Sequence, residues 1–256
     1  MAILCYTLPL LYLLIVATKS DQAFGAHPLG LGFRPTRSNF TTAWREGGFA
    51  QLALNSVFYG LVGASLSCVI ALFVAFPIAR RYVPAAGFFQ FLFVVALFLP
   101  NPLVAQYQVL LHLSLYNSRW GYLLLLVSTV GVAPLILIGY LRSVPVELDE
   151  SAALDGVGYL RYVLTFVAPM ARPALATAFM LQAITYWNEI IVATIVLADP
   201  TKSPVSKGLY AFSGPYGSNE PLVAAAALVV AGPLVLLYIA LQRYIIAGAT
   251  NGALKA

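Results

Sequence analysis

The chain has 256 residues, is 61% hydrophobic and 9% charged, and carries a formal net charge of +5 with a mean hydropathy of +0.87. Soluble domains carry about 25% charged residues, so this balance excludes an ordinary water-soluble protein and puts the chain in lipid. The positive charge raises the possibility of nucleic-acid binding, but no stretch clusters Lys and Arg with aromatics, and no nucleic-acid partner is expected.

A helix crosses the hydrocarbon core with roughly 20 apolar residues. Six uncharged or nearly uncharged runs approach or exceed that length, at 2–18, 52–78, 85–113, 120–141, 173–198 and 221–242. A membrane β-barrel would alternate apolar and polar residues over segments of about ten. Runs such as YLLLLVSTVGVAPLILIGYL (122–141) do not alternate. The expected fold is all-α, a polytopic membrane protein with six transmembrane helices forming one domain over 1–256.

The first run lacks basic residues ahead of it and a small-x-small cleavage pattern after it, so it reads as a retained helix and not a signal peptide. Cys5 and Cys68 lie in apolar runs and read as small buried hydrophobes. The connection 19–51 is rich in Gly, Pro and polar residues, with a short helix expected around 41–47. In the second run Gly60, Ala64, Ser67, Ala71 and Ala75 recur at spacings of three and four, a small-residue face for close helix packing. The third run contains Pro100 and Pro102, which predict a bent or broken helix. Whether that break faces a cavity or is a packing irregularity is open at this point. His27 and His112 have no ligand-type residues at metal-binding spacing, and no metal site is expected.

Between the fourth and fifth runs lies a segment with nearly half the chain's nine carboxylates: Glu147, Asp149, Glu150 and Asp155 fall within ELDESAALDG (147–156). Pro145 can open a helix there, the acids complement the positive end of its dipole, and Gly156 can close it in a left-handed conformation. Leu148, Ser151, Ala152 and Asp155 are expected on one face, with a second short helix following at YLRYVLTFV before Pro169 and Pro173. The residues alone allow either a docking knob or a solvated interhelical loop. Basic residues do not settle orientation, because the 14 Lys and Arg divide evenly between the two sides.

The segment resembles the EAA loop of ABC importer permeases, whose pattern is E-A-A-x-x-x-G, nine residues, then I-x-L-P. Glu150, Ser151 and Ala152 stand in the first three places, Gly156 takes the glycine and Pro169 the proline, with every spacing kept. Ser151, Phe166 and Ala168 depart from the pattern but keep small or apolar character. LALNS (52–56), YNSRWGYLLL (116–125), YWNEIIVA (186–193) and QRYIIAGATNGALKA (242–256) are similar to the MalG-like permeases of the carbohydrate branch. The resemblance implies a type I importer permease fold with a cytoplasmic coupling loop at 142–172, both termini cytoplasmic, and residence in the bacterial cytoplasmic membrane. It implies that Glu147, Leu148, Glu150, Ser151, Ala152, Asp155, Gly156 and Pro169 couple the chain to an ATPase. The implied partners are a second permease, two ATP-binding-cassette subunits holding ATP and Mg, and an extracytoplasmic binding protein. No cofactor is expected on this chain, which has no G-x-x-x-x-G-K-[ST] loop, and no enzymatic activity of its own is expected.

Glu189 is the only carboxylate within an expected span. An acid at that depth normally faces a cavity or a polar partner. Tyr186, Trp187, Asn188 and Glu189 therefore read either as a lining of the solute path or as groups that bond helices together, with Asn55 or Gln182 as partners. The competing reading is an ion-coupled secondary transporter. It would call for repeats and several embedded acids, which the chain does not show.

Overall fold

A computed structural model of the chain describes residues 2–31, 33–129, 131–214 and 217–253. Helix is the dominant element, and the only strands among the described residues are the two-residue pair Ser213–Gly214 and Gly217–Ser218. The helices are α1 (Ala2–Ala17), α2 (Asp21–Ala26), α3 (Ser38–Glu46), α4 (Phe49–Ala79), α5 (Ala86–Ala96), α6 (Leu103–His112), α7 (Arg119–Ser128) and α8 (Ala133–Leu141). After the acidic helix α9 (Glu147–Leu154) come α10 (Tyr159–Tyr162), one π turn (Val163–Val167), α11 (Ala168–Met170), α12 (Arg172–Asn188), α13 (Ile191–Val196) and α14 (Glu220–Ala253). Cys5 and the terminal block 242–256 lie outside the residues whose side chains are described.

Among the described residues two helices are long and apolar enough to cross a membrane as single rods, and up to four do so if each bent pair counts as one span. The six apolar runs all fall on helix, but the third, fourth and fifth are interrupted. Two of these interruptions have a local cause. Pro100 and Pro102 carry no N–H and clash with a preceding turn, so α5 and α6 stop on either side of them. Gly131 takes a φ of +55° between α7 and α8, and Pro134 enters the first turn of α8. A Cβ on Gly131 would lie 2.4 Å from Gln182 Oε1, so any larger residue would also displace the end of that side chain. In the fifth run the helix stops at Asn188 and restarts at Ile191.

Contacts divide the chain into two compact units, Met1–Val57 with Trp187–Leu236, and Phe58–Tyr186 with Leu237–Ala256. The first unit packs Val16, Ala17, Phe49, Leu52, Trp187, Val205 and the Ala224–Ala226 stripe into one core. Polar side chains fix its loops: Asn55 Nδ2 donates to the carbonyls of Thr201 and Ser203, and Ser56 Oγ accepts from Val205 N. Lys19 is fully buried, its Nζ donating to the carbonyls of His27 and Pro28.

The second unit builds its core from Ala71, Leu72, Ala75 and Phe76 of α4 together with Leu137, Ile138, Leu141, Ala174 and Ala178. The expected small-residue face of the second run is therefore an intrachain packing surface. Ala64, Ser67, Ala71 and Ala75 are all buried, and Ser67 reaches Tyr186 at 2.6 Å.

Candidate functional site: the acidic loop and its anchor

The helix α9 is eight residues long, with Glu147, Asp149 and Glu150 in its first turn, where carboxylates meet the positive end of the helix dipole. Pro145 stands one residue ahead of the cap residue Val146, outside the helix and not in its first turn. Arg80 Nη2 donates to the Pro145 carbonyl at 3.3 Å, a tie on the chain just before α9 begins.

Gly156 closes the helix as expected, at φ +69°. Its N–H donates to Ala153 O and that of Val157 donates to Ala152 O, each at 3.0 Å, which is the paired bonding of a Schellman cap. The loop then runs through α10 and the π turn to Pro169, and the stretch Tyr159–Met170 meets α12 at 86°. The second loop helix is thus interrupted by one wide turn, and Pro169 is exposed where the direction changes.

α9 presents two faces. Glu147, Leu148, Glu150, Ser151, Leu154 and Asp155 are exposed, Leu154 at 91%. Asp149 and Ala152, three residues apart, are buried against the rest of the second unit. The sequence reading put Ala152 with Leu148, Ser151 and Asp155. The structure turns Ala152 inward, because Asp149 on the same stripe is pulled into the core.

Asp149 is the residue that the sequence reading passed over. Its carboxylate lies 2.6 Å from Arg80 Nε, an ion contact between side chains that are only 5% and 3% exposed. Arg80 Nη2 reaches Oδ1 at 3.3 Å, Tyr82 OH donates to Oδ2 at 3.1 Å, and Tyr162 OH donates to Oδ1. Arg80 Nη1 donates to Leu141 O at 3.1 Å and Val144 O at 2.7 Å. The guanidinium also lies over the Phe76 ring, 6.0 Å from its centre, and that ring packs against Tyr82, Tyr159 and Tyr162. Burial, reinforced by the neighbouring carboxylate, pushes the Tyr82 and Tyr162 hydroxyls above the usual phenol range, so both remain donors. One signal for this cluster was available in the sequence: the adjacent Arg80–Arg81 pair directly at the end of an apolar run.

The second set of expected site residues is separated by role. Tyr186 is buried, and its hydroxyl bonds Ser67 Oγ and accepts from Gln182 Nε2 at 3.1 Å. Trp187 is buried and donates from Nε1 to Val230 O at 3.1 Å. Asn188 is exposed, and half-buried Glu189 accepts from Val192 N at 3.0 Å, satisfying a free donor at the start of α13. Of the two partners considered, Gln182 bonds Tyr186, and Asn55 bonds the 201–203 loop instead.

Within the second unit the breaks at 97–102 and 129–132 border a cavity of about 570 Å³, lined by Asn101, Gln106, Ser128, Thr129 and Gly131 among others. Gln106 Oε1 is buried there without a hydrogen-bond partner among the described residues. The proline break in the third run therefore does face a cavity.

The model of the family "Binding-protein-dependent transport system inner membrane component" matches residues 64–250, well over half the chain. The melibiose/raffinose/stachyose import permease protein MelC of Bacillus subtilis (strain 168) is 30% identical over 85% of this chain and 80% of its own length. A putative ABC transporter permease protein, ORF1 of Streptomyces antibioticus, is 32% identical over 86% of this chain and 98% of its own. The diacetylchitobiose uptake system permease protein NgcG of Streptomyces coelicolor (strain ATCC BAA-471 / A3(2) / M145) is 26% identical over 96% of this chain and 83% of its own. A crystal structure of a bacterial ABC transporter that imports the acidic polysaccharide alginate shares the fold, with a TM-score of 0.79 at 21% identity over 94% of this chain and 91% of that one. With a family match of this extent, the chain is an inner-membrane component of a binding-protein-dependent ABC import system.

Proposed function

We propose that the chain is the permease half of an importer for a sugar or sugar-like solute, paired with a second, different permease and driven by two ATPase subunits. The observation that carries this reading is α9, a short helix with one face buried in its own chain and the other, from Glu147 to Asp155, fully available. A helix of that form fits a groove, read through a few anchors on one side. Leu148, Ser151 and Leu154 supply apolar and small contacts, and Glu147, Glu150 and Asp155 supply charge for basic residues of the ATPase. Ala152 contributes from the inner face by letting α9 lie close to its own core. Gly156 and Pro169 then carry the motion into α12. In this reading ATP and Mg belong to the ATPases, the chain has no nucleotide site, the acidic loop is cytoplasmic, and both termini lie on that side.

The substrate class follows from the relatives, named for melibiose, raffinose and stachyose, for arabinooligosaccharides and for diacetylchitobiose. The solute path is assigned to Tyr186, Trp187, Asn188 and Glu189, with Asn188 and Glu189 as the groups that meet solute and Tyr186 and Trp187 as the buried frame behind them. The ion-driven alternative has no support in the family.

The test is reconstitution of the whole complex in vesicles. Uptake of radiolabelled melibiose or raffinose should require internal ATP and the binding protein and persist when ion gradients are collapsed. Uptake that follows a sodium or proton gradient without ATPase subunits would refute the reading. Glu189→Gln keeps an acceptor for Val192 N, and assembly of the complex is measured beside uptake. If the carboxylate meets solute, KM for uptake should rise several-fold; an unchanged KM removes Glu189 from the path.

A further inference from the structure

The acidic helix is bound to the chain at more than its two covalent ends. Arg80 is the first residue past α4, and Asp149 is at the third position of α9. Arg80 spends its guanidinium on four acceptors: the Asp149 carboxylate and the carbonyls of Leu141, Val144 and Pro145. Those carbonyls belong to the end of α8 and the turn into α9. Tyr82, just beyond Arg80, and Tyr162 of α10 hold the same carboxylate from two further directions. Tyr159 OH donates to Phe73 O at 2.8 Å, fastening α10 to α4 a second time.

The turn that aims these groups is strained. α4 ends in the same paired cap as α9, with Arg81 N donating to Ile78 O and Tyr82 N to Pro77 O. Here the left-handed position is filled by Arg81 at φ +56°, where glycine would be free of strain. The turn sends Arg80 and Tyr82 to the same carboxylate. A non-glycine residue persists in that conformation when its surroundings over-determine it.

The geometry points to a strut: the Arg80–Asp149 pair makes α9 and the cytoplasmic half of α4 one rigid body, so that displacement of the coupling helix drives the second span directly, alongside the covalent route through Pro169 into α12. This rests on the ATPase-coupling reading above. It adds a positioning role for Arg80, Asp149, Tyr82 and Tyr162, none of which is needed to contact the ATPase. The ion pair and the Tyr162 bond to it are buried, so α9 cannot rotate relative to α4 without leaving a guanidinium and a carboxylate unpaired in a site largely closed to water.

The test uses the full complex, with both native cysteines, Cys5 and Cys68, replaced by Ala. Spin labels are placed at exposed positions of α9 (Ala153→Cys) and α4 (Ile70→Cys), and their separation is measured by pulsed electron paramagnetic resonance without nucleotide and with ATP plus vanadate. The expected result is a separation that changes by less than about 2 Å, the scale of a small shift between packed elements. In the Asp149→Asn background the same addition should change it by more than that, with ATPase capture retained. Tyr162→Phe, which removes one donor and leaves the ion pair, should give a smaller change and serves if Asp149→Asn does not assemble. A wild-type separation that changes by more than about 2 Å, or substituted complexes that behave as wild type, would overturn the strut. Failure of the wild-type chain to capture any ATPase would instead overturn the coupling reading.

Discussion

Asp149→Ala is expected to cost about 3–5 kcal/mol of stability, the usual consequence of leaving one member of a buried ion pair without its partner. The size follows from what remains. Arg80 keeps its carbonyl contacts to Leu141, Val144 and Pro145, but its charge then has no counter-ion in a site that leaves the side chain 3% exposed. Tyr82 and Tyr162 lose their shared acceptor as well. The control is the pair Arg80→Met with Asp149→Leu, which removes both charges and keeps much of the volume. It should recover most of the loss, because desolvating two charges offsets much of the attraction between them. Unfolding of the detergent-solubilised chain, followed by helix signal against denaturant, gives both numbers. A single substitution that costs under about 1 kcal/mol would mean that the pair is as weak as a surface ion pair.

The pH dependence has a defined sign. The Tyr162 hydroxyl is raised above its ordinary value of 10.0, chiefly by burial and then by Asp149, so its contribution is complete below pH 10 and is lost only as pH rises through the folded value. Between pH 6 and 9 the Tyr162 hydroxyl contributes no slope.

What the sequence made legible was whatever has a one-dimensional signature. Apolar runs located the helices, the spacing from Glu150 through Gly156 to Pro169 located the acidic loop, and the double proline at 100 and 102 predicted the break between α5 and α6. The break at Gly131 carries no such mark, since a lone glycine in an apolar run is common, and only its φ of +55° beside the Gln182 side chain, 51 positions away, shows why it is there. The same holds for Asp149: among four nearby acids, nothing local distinguishes the one that a guanidinium 69 residues earlier draws inward. Periodicity put Ala152 on the outer face for the same reason. Tyr186 and Trp187 allowed two readings, solute lining or helix bonding, and their partners, Ser67 and the Val230 carbonyl, lie too far along the chain for the sequence to show.

Gly156→Val should uncouple or weaken the ATPase more than it destabilises the fold. A Cβ at Gly156 would meet nothing within 4 Å, so space is not the obstacle; the obstacle is φ at +69°, a conformation that a β-branched side chain resists. The strain is on the order of 1–3 kcal/mol. It can be relieved locally by unwinding the last turn of α9, which gives up the Gly156 N to Ala153 O and Val157 N to Ala152 O bonds. Asp149 sits in the first turn and stays anchored, so the core of the second unit is spared. Leu154 and Asp155 on the exposed face would be displaced, and a loss of 1–2 kcal/mol at that face lowers ATPase affinity about 5–30-fold. Gly156→Asn is the discriminating control, because Asn tolerates the left-handed region and should retain near-normal capture. The expected order for ATPase capture and for ATP-driven uptake is Gly, Asn, Ala, Val, with unfolding midpoints spread far less than uptake rates. If Gly156→Val captures the ATPase and transports as well as Gly156→Asn, the Schellman turn is not what holds the docking face in place.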